Sequence, residues 1–350
     1  MRILSAWKKM LYIYIRPINE AMKKVVICTL LLALSLSAIK GQDAGHYFFK
    51  DSHILKPFLS EIRSTTIKAE LAWLNKLDEN YYVSDYAKRP FIEVHLGAEL
   101  PVYYLVNRQK NFKFSTSGYI GNILLIDMFE ENTAPVINTD YFFGVKAAAV
   151  KYIDHPYIRN IGLKLVPLFH ESTHIGDEFS IHGYNDLPGF RRVNVSYEAW
   201  EIAAVINDPD TIKSNLFSAK VGFHGLWKPA KGYYTTDSLE TKGVMAPPSE
   251  KNYEYYVQLN LQRTKGFLCS DRWMNVISVE ANNRLRFSYD EAIAEKRTWN
   301  FNLYFGWKYM SEKSGHNLGF FFRYYAGIIP NGQFRNTGGY RYAGLSIVYQ

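Results

Sequence analysis

From about residue 66 onward the chain alternates between apolar and polar positions. In TWNFNLYFGWKYM, residues 298 to 310, the side chains of Trp299, Phe301, Leu303, Phe305, Trp307 and Tyr309 share one face of a two-residue repeat. Asn300, Asn302, Tyr304, Gly306 and Lys308 share the other. A period of two predicts a β-strand, and this division of faces predicts hydrocarbon on one side and water on the other. Eleven more segments follow the rule, from TIKAELAWLNKL through FIEVHLGAELPVYYLV and YEYYVQLNLQRT to YRYAGLSIVYQ at the C-terminus. Linkers rich in Asn, Asp, Gly and Pro, such as NDPDTIKSN and IPNGQFRNTGGY, separate them. The predicted fold is all-β: a transmembrane antiparallel β-barrel of about 12 strands over residues 66–350, the even count that a closed antiparallel ring requires.

What precedes the barrel has a different pattern. MKKVVICTLLLALSLSAIKGQ, residues 22 to 42, orders two lysines, an apolar run and small residues as a secretory signal does, and Met22 is the expected start. We therefore divide the chain into an upstream extension and signal peptide (1–41), a periplasmic lead-in (42–65) with a short helix expected in HILKPFLSEIRS, and the barrel. No other stretch is long and apolar enough for a membrane helix, so a membrane location means a barrel, in the outer membrane of a Gram-negative cell. Cys28 falls in the leader, which leaves Cys269 without a partner for an internal disulfide.

Composition agrees. Aromatic residues make up 16% of the chain, with 27 Tyr and 22 Phe, more than a water-soluble core uses but what interfacial girdles need. The net charge of +8 is scattered, with no run of five basic residues, which excludes a nucleic-acid stripe. The expected partners are outer-membrane lipids and, during insertion, the machinery that assembles outer-membrane barrels. Oligomeric state is not readable from these patterns.

Candidate chemistry concentrates in LVPLFHESTHIGDEFSIHGYND, residues 165 to 186. HESTH has the HExxH form, which serves zinc when a helix brings residues four apart onto one face. Pro167 and Gly176 bracket it and oppose a helix, although Glu198 or Glu201 offers a third ligand. As a strand, the segment puts Ile161, Leu163, Leu165, Pro167 and Phe169 on the odd face and Lys164, His170, Ser172 and His174 on the even one. RRVNVSYEAW behaves alike, with Val193, Val195 and Tyr197 odd and Arg192, Asn194, Ser196 and Glu198 even. The apolar odd faces are expected toward lipid and the even faces toward the lumen. A hairpin turning near Tyr184 pairs residues whose numbers sum to about 368. Ser172 then faces Ser196 and His170 faces Glu198, at ~5 Å between Cβ atoms.

Two functional readings follow. His170, His174, Ser196, Arg192, Asp177 and Glu178 form, with Ser172 and Glu198, a polar network bracing the lumen of a non-enzymatic barrel. Alternatively Ser172 is a nucleophile, His170 its base, and Glu198 or Asn194 the residue that orients the imidazole. No cofactor is required, although Asp177 with Glu178 is a candidate pair for calcium and Gly176 for an oxyanion site. An HExxH zinc site is third.

The H-x-S pair on a barrel strand resembles outer-membrane phospholipase A and the lipid A deacylase. That resemblance implies Ser172 as nucleophile, His170 as base and a downstream Asn or Glu as orienting residue. Those families have Asn after the Ser where this chain has Thr173, and their catalytic residues face lipid. A bulge at Pro167 would turn His170 and Ser172 that way. The longer stretches HESTHIGDE and NVSYE resemble an uncharacterised bacterial family, domain of unknown function 1207, which implies an exported barrel and no known activity.

Overall fold

The computed structural model describes residues 44–49, 54–76, 90–128, 134, 136–175, 194–209, 216–227, 230–236, 239–245, 252–264, 272–286, 297–311, 317–331 and 339–349. Residues 1–41, with the proposed leader, lie outside them. Fifteen strands form: β1 (Ala44–Phe48), β2 (Ile67–Lys76), β3 (Pro90–Asn107), β4 (Phe112–Ile126), β5 (Val136–Tyr152), β6 (Asn160–Ile175), β7 (Asn194–Ile206), β8 (Leu216–Leu226), β9 (Ala230–Thr236), β10 (Leu239–Met245), β11 (Tyr253–Thr264), β12 (Trp273–Leu285), β13 (Arg297–Met310), β14 (Asn317–Gly327) and β15 (Tyr340–Tyr349). Twelve of them close a ring. Each of β2 to β8 pairs antiparallel with the next, β8 passes to β11, the order continues to β15, and β15 returns to β2. The twelve strands are the twelve alternating segments read from the sequence. The other three are accessories. β1 pairs with the end of β3, and the β9–β10 hairpin extends from the start of β7.

Alternation sorts the wall as the period of two demands. On β13, Trp299, Phe301, Phe305 and Trp307 are exposed outward, whereas Asn300, Asn302 and Tyr304 are buried in the lumen. The outward face is apolar around the ring, with Leu96, Ile120, Leu163, Val221, Leu259, Ile277, Phe320 and Leu345 all exposed. Eight residues separate Trp299 from Trp307, roughly 26 Å along the strand and on the order of 20 Å in height at a tilt of ~40°. An apolar band of that height with Trp at each end fits a bilayer. Leu259→Arg, in the middle of β11, is expected to destabilise the barrel in lipid vesicles by ~2–4 kcal/mol. Urea unfolding would check this, and a cost under about 1 kcal/mol would mean that the face meets water.

The lumen is polar and paired. Arg323 is fully buried, with Nη1 donating to Glu93 at 2.8 Å and to Glu70 at 3.2 Å and Nε to Asn302 at 2.8 Å. Lys68 donates to Glu93 at 3.0 Å and to the Tyr304 hydroxyl at 2.9 Å. These contacts join β2, β3, β13 and β14 across the seam where the first and last ring strands meet.

The segment expected as a periplasmic lead-in runs inside the barrel instead. Ile54 to Thr66 is threaded up the lumen. Ser60 is fully buried, with its N–H donating to Ser278 at 3.2 Å and its carbonyl accepting from Asn302 at 2.7 Å. Glu61 meets Lys164 at 3.1 Å and Lys220 at 2.5 Å. Burial alone would raise the Glu61 carboxyl, but the two lysines outweigh it and hold it at about 2. That tie is therefore present above the ordinary carboxylate range and is lost only as the pH falls toward 2. Ile54, Leu55 and Phe58 pack with Tyr104, Ala148, Val150 and Val205. The short helix expected here does not form: the segment makes turns, such as Glu61 N–H to Phe58 carbonyl at 2.9 Å. Side chains of the wall supply the backbone partners that a helix would have supplied, and Pro57 has no N–H to offer one.

A candidate active site on the outer wall

The strand that carries His170 and Ser172 changes faces midway. Along β6, Lys164 and Val166 point inward, and after Pro167 it is Phe169, Glu171 and Thr173 that are buried. The cause is one extra residue. Against β7, Val166 pairs with Glu201 and Phe169 with Ala199, which sets Pro167 and Leu168 opposite Trp200. Against β5, Leu165 pairs with Ala147 and Leu168 with Val145, so Val166 and Pro167 stand opposite Lys146. Pro167 belongs to both mismatches. Lacking an N–H, it sacrifices no ladder hydrogen bond there, which is why a bulge tolerates it. Its carbonyl accepts from Trp227 Nε1 at 3.0 Å, and the Trp227 N–H donates to the Glu198 carbonyl at 2.9 Å.

The expected placement of the cluster is therefore corrected. His170, Ser172 and His174 lie on the outer wall rather than in the lumen, because the bulge inverts the parity beyond it. On β7 the inward residues are Val195, Tyr197 and Ala199, so Ser196 and Glu198 face outward as well. The odd residues of β7, assigned to lipid from their apolarity, instead pack in the lumen with Phe169, Val166 and Ile123. The pairing itself runs in the register read from the sequence: His170 opposite Glu198 and Ser172 opposite Ser196.

On that outer face Ser172 Oγ lies 3.3 Å from His174 Nε2. His170 Nδ1 lies 3.7 Å from Glu198 Oε1, a charge approach slightly longer than a hydrogen bond. β5 supplies the flank. The His170 ring stacks on Phe143 with centroids 4.9 Å apart, and His174 meets the edge of Tyr141 at 5.8 Å. Ser172 thus sits between two imidazoles, each two residues away on the same face at ~6.7 Å of strand. Sequence reasoning paired Ser172 with His170 and missed its contact with His174. It also missed Phe143 and Tyr141, although YFFG on β5 carries the alternation that puts them there.

The HExxH reading is overturned. On a strand His170 and His174 are ~13 Å apart along the chain, too far for one zinc ion, and the residue between them points the other way. That residue, Glu171, is fully buried in the lumen. It accepts from Arg63 Nε and Nη2, each at 2.7 Å, and from the Tyr197 hydroxyl at 2.6 Å. The same Arg63 Nη2 donates to the Pro330 carbonyl at 2.7 Å and lies 3.6 Å from Asp140. Burial would lower the Arg63 guanidinium, and Glu171 with Asp140 reverses that and holds it above its ordinary value. The inner segment is thus bolted to the back of the strand pair that carries the outward cluster.

Arg192, Gly176, Asp177 and Glu178 lie outside the described residues, so the bracing, oxyanion and calcium expectations attached to them have no described geometry. Of Asn194 only the backbone is described, pairing with Tyr233 of β9.

Comparison with known proteins adds the following. The translocator domain of the autotransporter NalP from Neisseria meningitidis aligns over 94% of this chain and 96% of its own, at 9% identity and a TM-score of 0.38. The outer membrane phospholipase A of Escherichia coli aligns over 82% of this chain and 93% of its own, at 11% identity and a TM-score of 0.44. The dimer of that phospholipase with bound calcium from Salmonella typhi aligns over 81% and 90%, at 10% identity and a TM-score of 0.43. At these values the likenesses add nothing about activity, and the barrel stands on its own strand pairing. No curated protein sequence matches the chain. Residues 42–214 match the family described as protein of unknown function, DUF1207, a range that takes in the inner segment, β1 to β7 and both strands of the outward cluster. The resemblance carried by HESTHIGDE and NVSYE is thereby borne out as a match to that family's model over residues 42–214.

Proposed function

We propose that this protein is an outer-membrane acyl hydrolase that cleaves an ester of a membrane lipid at its outer wall, with Ser172 as nucleophile. One observation carries the reading: a Ser/His/Glu constellation occupies the outward face of a wall that is otherwise apolar and aromatic. A polar group turned toward hydrocarbon costs free energy unless it has a task or a partner there, so such groups mark function in membrane proteins. The band of apolar side chains between Trp299 and Trp307 supports the membrane location.

The chemistry is a two-step acyl transfer. Ser172 Oγ attacks the ester carbonyl while its proton passes to an imidazole. The alcohol leaves with that proton, and water then releases the fatty acid from the acyl-serine. We assign the base to His170, because Glu198 stands beside it to stabilise the imidazolium, as the third member of such triads does. The assignment requires Ser172 Oγ to turn from His174 toward His170 by a change of χ1. Hydrolysis of phospholipid and lipid A by detergent-purified protein tests the reading. Ser172→Ala is expected to abolish turnover and labelling by a serine-directed fluorophosphonate. His170→Ala is expected to lower kcat ~10²–10⁴-fold, and His174→Ala less. Equal hydrolysis by wild type and Ser172→Ala, or a wild type that neither turns over nor labels, would leave the cluster as wall decoration.

A non-enzymatic barrel is the second reading. What favours it is the bracing of the lumen, which is extensive but uses Glu70, Glu93, Glu171, Arg63 and Arg323 in place of the His170–Ser172 cluster.

A further inference from the structure

Most glutamates that face the lumen meet cations. Glu70 and Glu93 have Arg323, Glu61 has Lys164 and Lys220, Glu99 has Lys146, and Glu171 has Arg63. Glu280, on the inner face of β12, departs from this. It is 3% exposed, and no cation among the described residues forms an ion pair with it. It accepts from Gln258 Nε2 at 2.7 Å and from Asn282 Nδ2 at 3.2 Å. Two amides that both turn their NH₂ groups to one carboxylate turn their carbonyl oxygens away from it. Flipping either would set oxygen against oxygen, so Glu280 itself fixes both orientations. Gln258 Oε1 and Asn282 Oδ1 are buried and meet no donor, and Gln258 is only 1% exposed. All three residues line a lumen cavity of about 100 Å³.

Nearby cations are committed elsewhere. Lys220, opposite Gln258 in the β8–β11 register, extends Nζ to Glu61, and Arg284 Nη1 lies 3.4 Å from the Pro330 carbonyl. The His224 ring is turned to Glu254 at 3.4 Å. A buried carboxylate without a counter-charge, beside two amide oxygens without donors, is an arrangement that an isolated lumen would not keep.

We propose that this cavity holds a small monovalent metal cation of the sodium class, with the Gln258 and Asn282 carbonyl oxygens among its ligands and the Glu280 carboxylate, one amide away, as its counter-charge. An oxygen-only donor set selects a hard cation, and one uncompensated carboxylate balances one charge. The cavity leaves room for a few waters at ~30 Å³ each to complete the shell. The site is independent of Ser172 and of any hydrolase activity.

The test is thermal unfolding of the detergent-purified full chain in sodium chloride and in choline chloride at equal ionic strength and neutral pH. Wild type is expected to melt about 3–5 °C higher in sodium. Glu280→Gln keeps the side-chain shape without the charge and is expected to fold and to melt alike in both salts. Equal melting of wild type in the two salts, or a sodium response retained in Glu280→Gln, would overturn the proposal. So would an infrared band of a protonated carboxyl, present in wild type in sodium at neutral pH and missing from Glu280→Gln, because the charge would then be neutralised by a proton.

Discussion

Deleting Pro167 is expected to prevent this barrel from assembling. The deletion makes β6 regular, and one half of the strand must then present the wrong face. If the half after the deletion turns over, Glu171 moves from the lumen to lipid. If the half before it turns over, Lys164 does. Either outcome sets a charge against hydrocarbon at ~2–4 kcal/mol. It also takes a counter-charge from a lumen partner, Glu171 from Arg63 in the first case and Lys164 from Glu61 and Glu201 in the second. Breaking a buried pair costs ~3–5 kcal/mol, so the sum approaches the whole stability of an ordinary domain, ~5–15 kcal/mol. Pro167→Ala is the control. It preserves the extra residue and is expected to fold, with a cost of ~1 kcal/mol or so for one N–H that then needs a partner. Heat-dependent gel mobility of the two proteins, a measure of folded barrel, reads the difference. A deletion variant that folds as well as wild type would show that the bulge does not determine the facing of His170 and Ser172.

Arg63→Ala is expected to be the most damaging single truncation inside the lumen. It removes both 2.7 Å hydrogen bonds that Arg63 gives to a fully buried carboxylate, while the Tyr197 hydroxyl still donates to Glu171. The expected loss is ~3–5 kcal/mol in guanidinium unfolding. Arg63→Ala with Glu171→Gln should recover a substantial part, because an amide is far less costly there than a carboxylate that has lost the Arg63 charge. The effect should reach the outer wall. Glu171 alternates with His170 and Ser172, and Tyr197 alternates with Ser196 and Glu198, so the inner bolt holds the backbone from which the outward cluster projects. Fluorophosphonate labelling of Ser172 is therefore expected to slow in Arg63→Ala and to recover in the double variant. A single variant within about 1 kcal/mol of wild type, or a double variant worse than the single, would mean that the fork contributes little.

Much of this molecule was legible in its alternation. A strand has only two faces, and twelve segments with lipid-compatible residues on one of them leave little choice but a closed antiparallel ring. The β6–β7 register was legible as well, because a hairpin turning near Tyr184 pairs residues whose numbers sum to about 368, as Ser172 and Ser196 do. The inner segment was not. KPFLSEIR has no strong period, and nothing local distinguishes a lead-in below the barrel from a strap within it. Only the wall, with Lys164, Lys220, Ser278, Asn302 and Glu171 waiting for partners, specifies where it goes.

The sequence by itself determined the class of fold, the strand count and the division of each regular strand into a lipid face and a lumen face, since these follow from a two-residue period repeated around the ring. It also determined which residue types cluster near Ser172. The tertiary structure decided which way that cluster points, because the outcome turns on whether one proline is accommodated as a bulge between two neighbouring strands. It also decided that Glu171 serves Arg63 and not a metal, and that Glu280 lacks the cation its neighbours have. Such facts depend on what lies across the lumen, at sequence separations where no local pattern reaches.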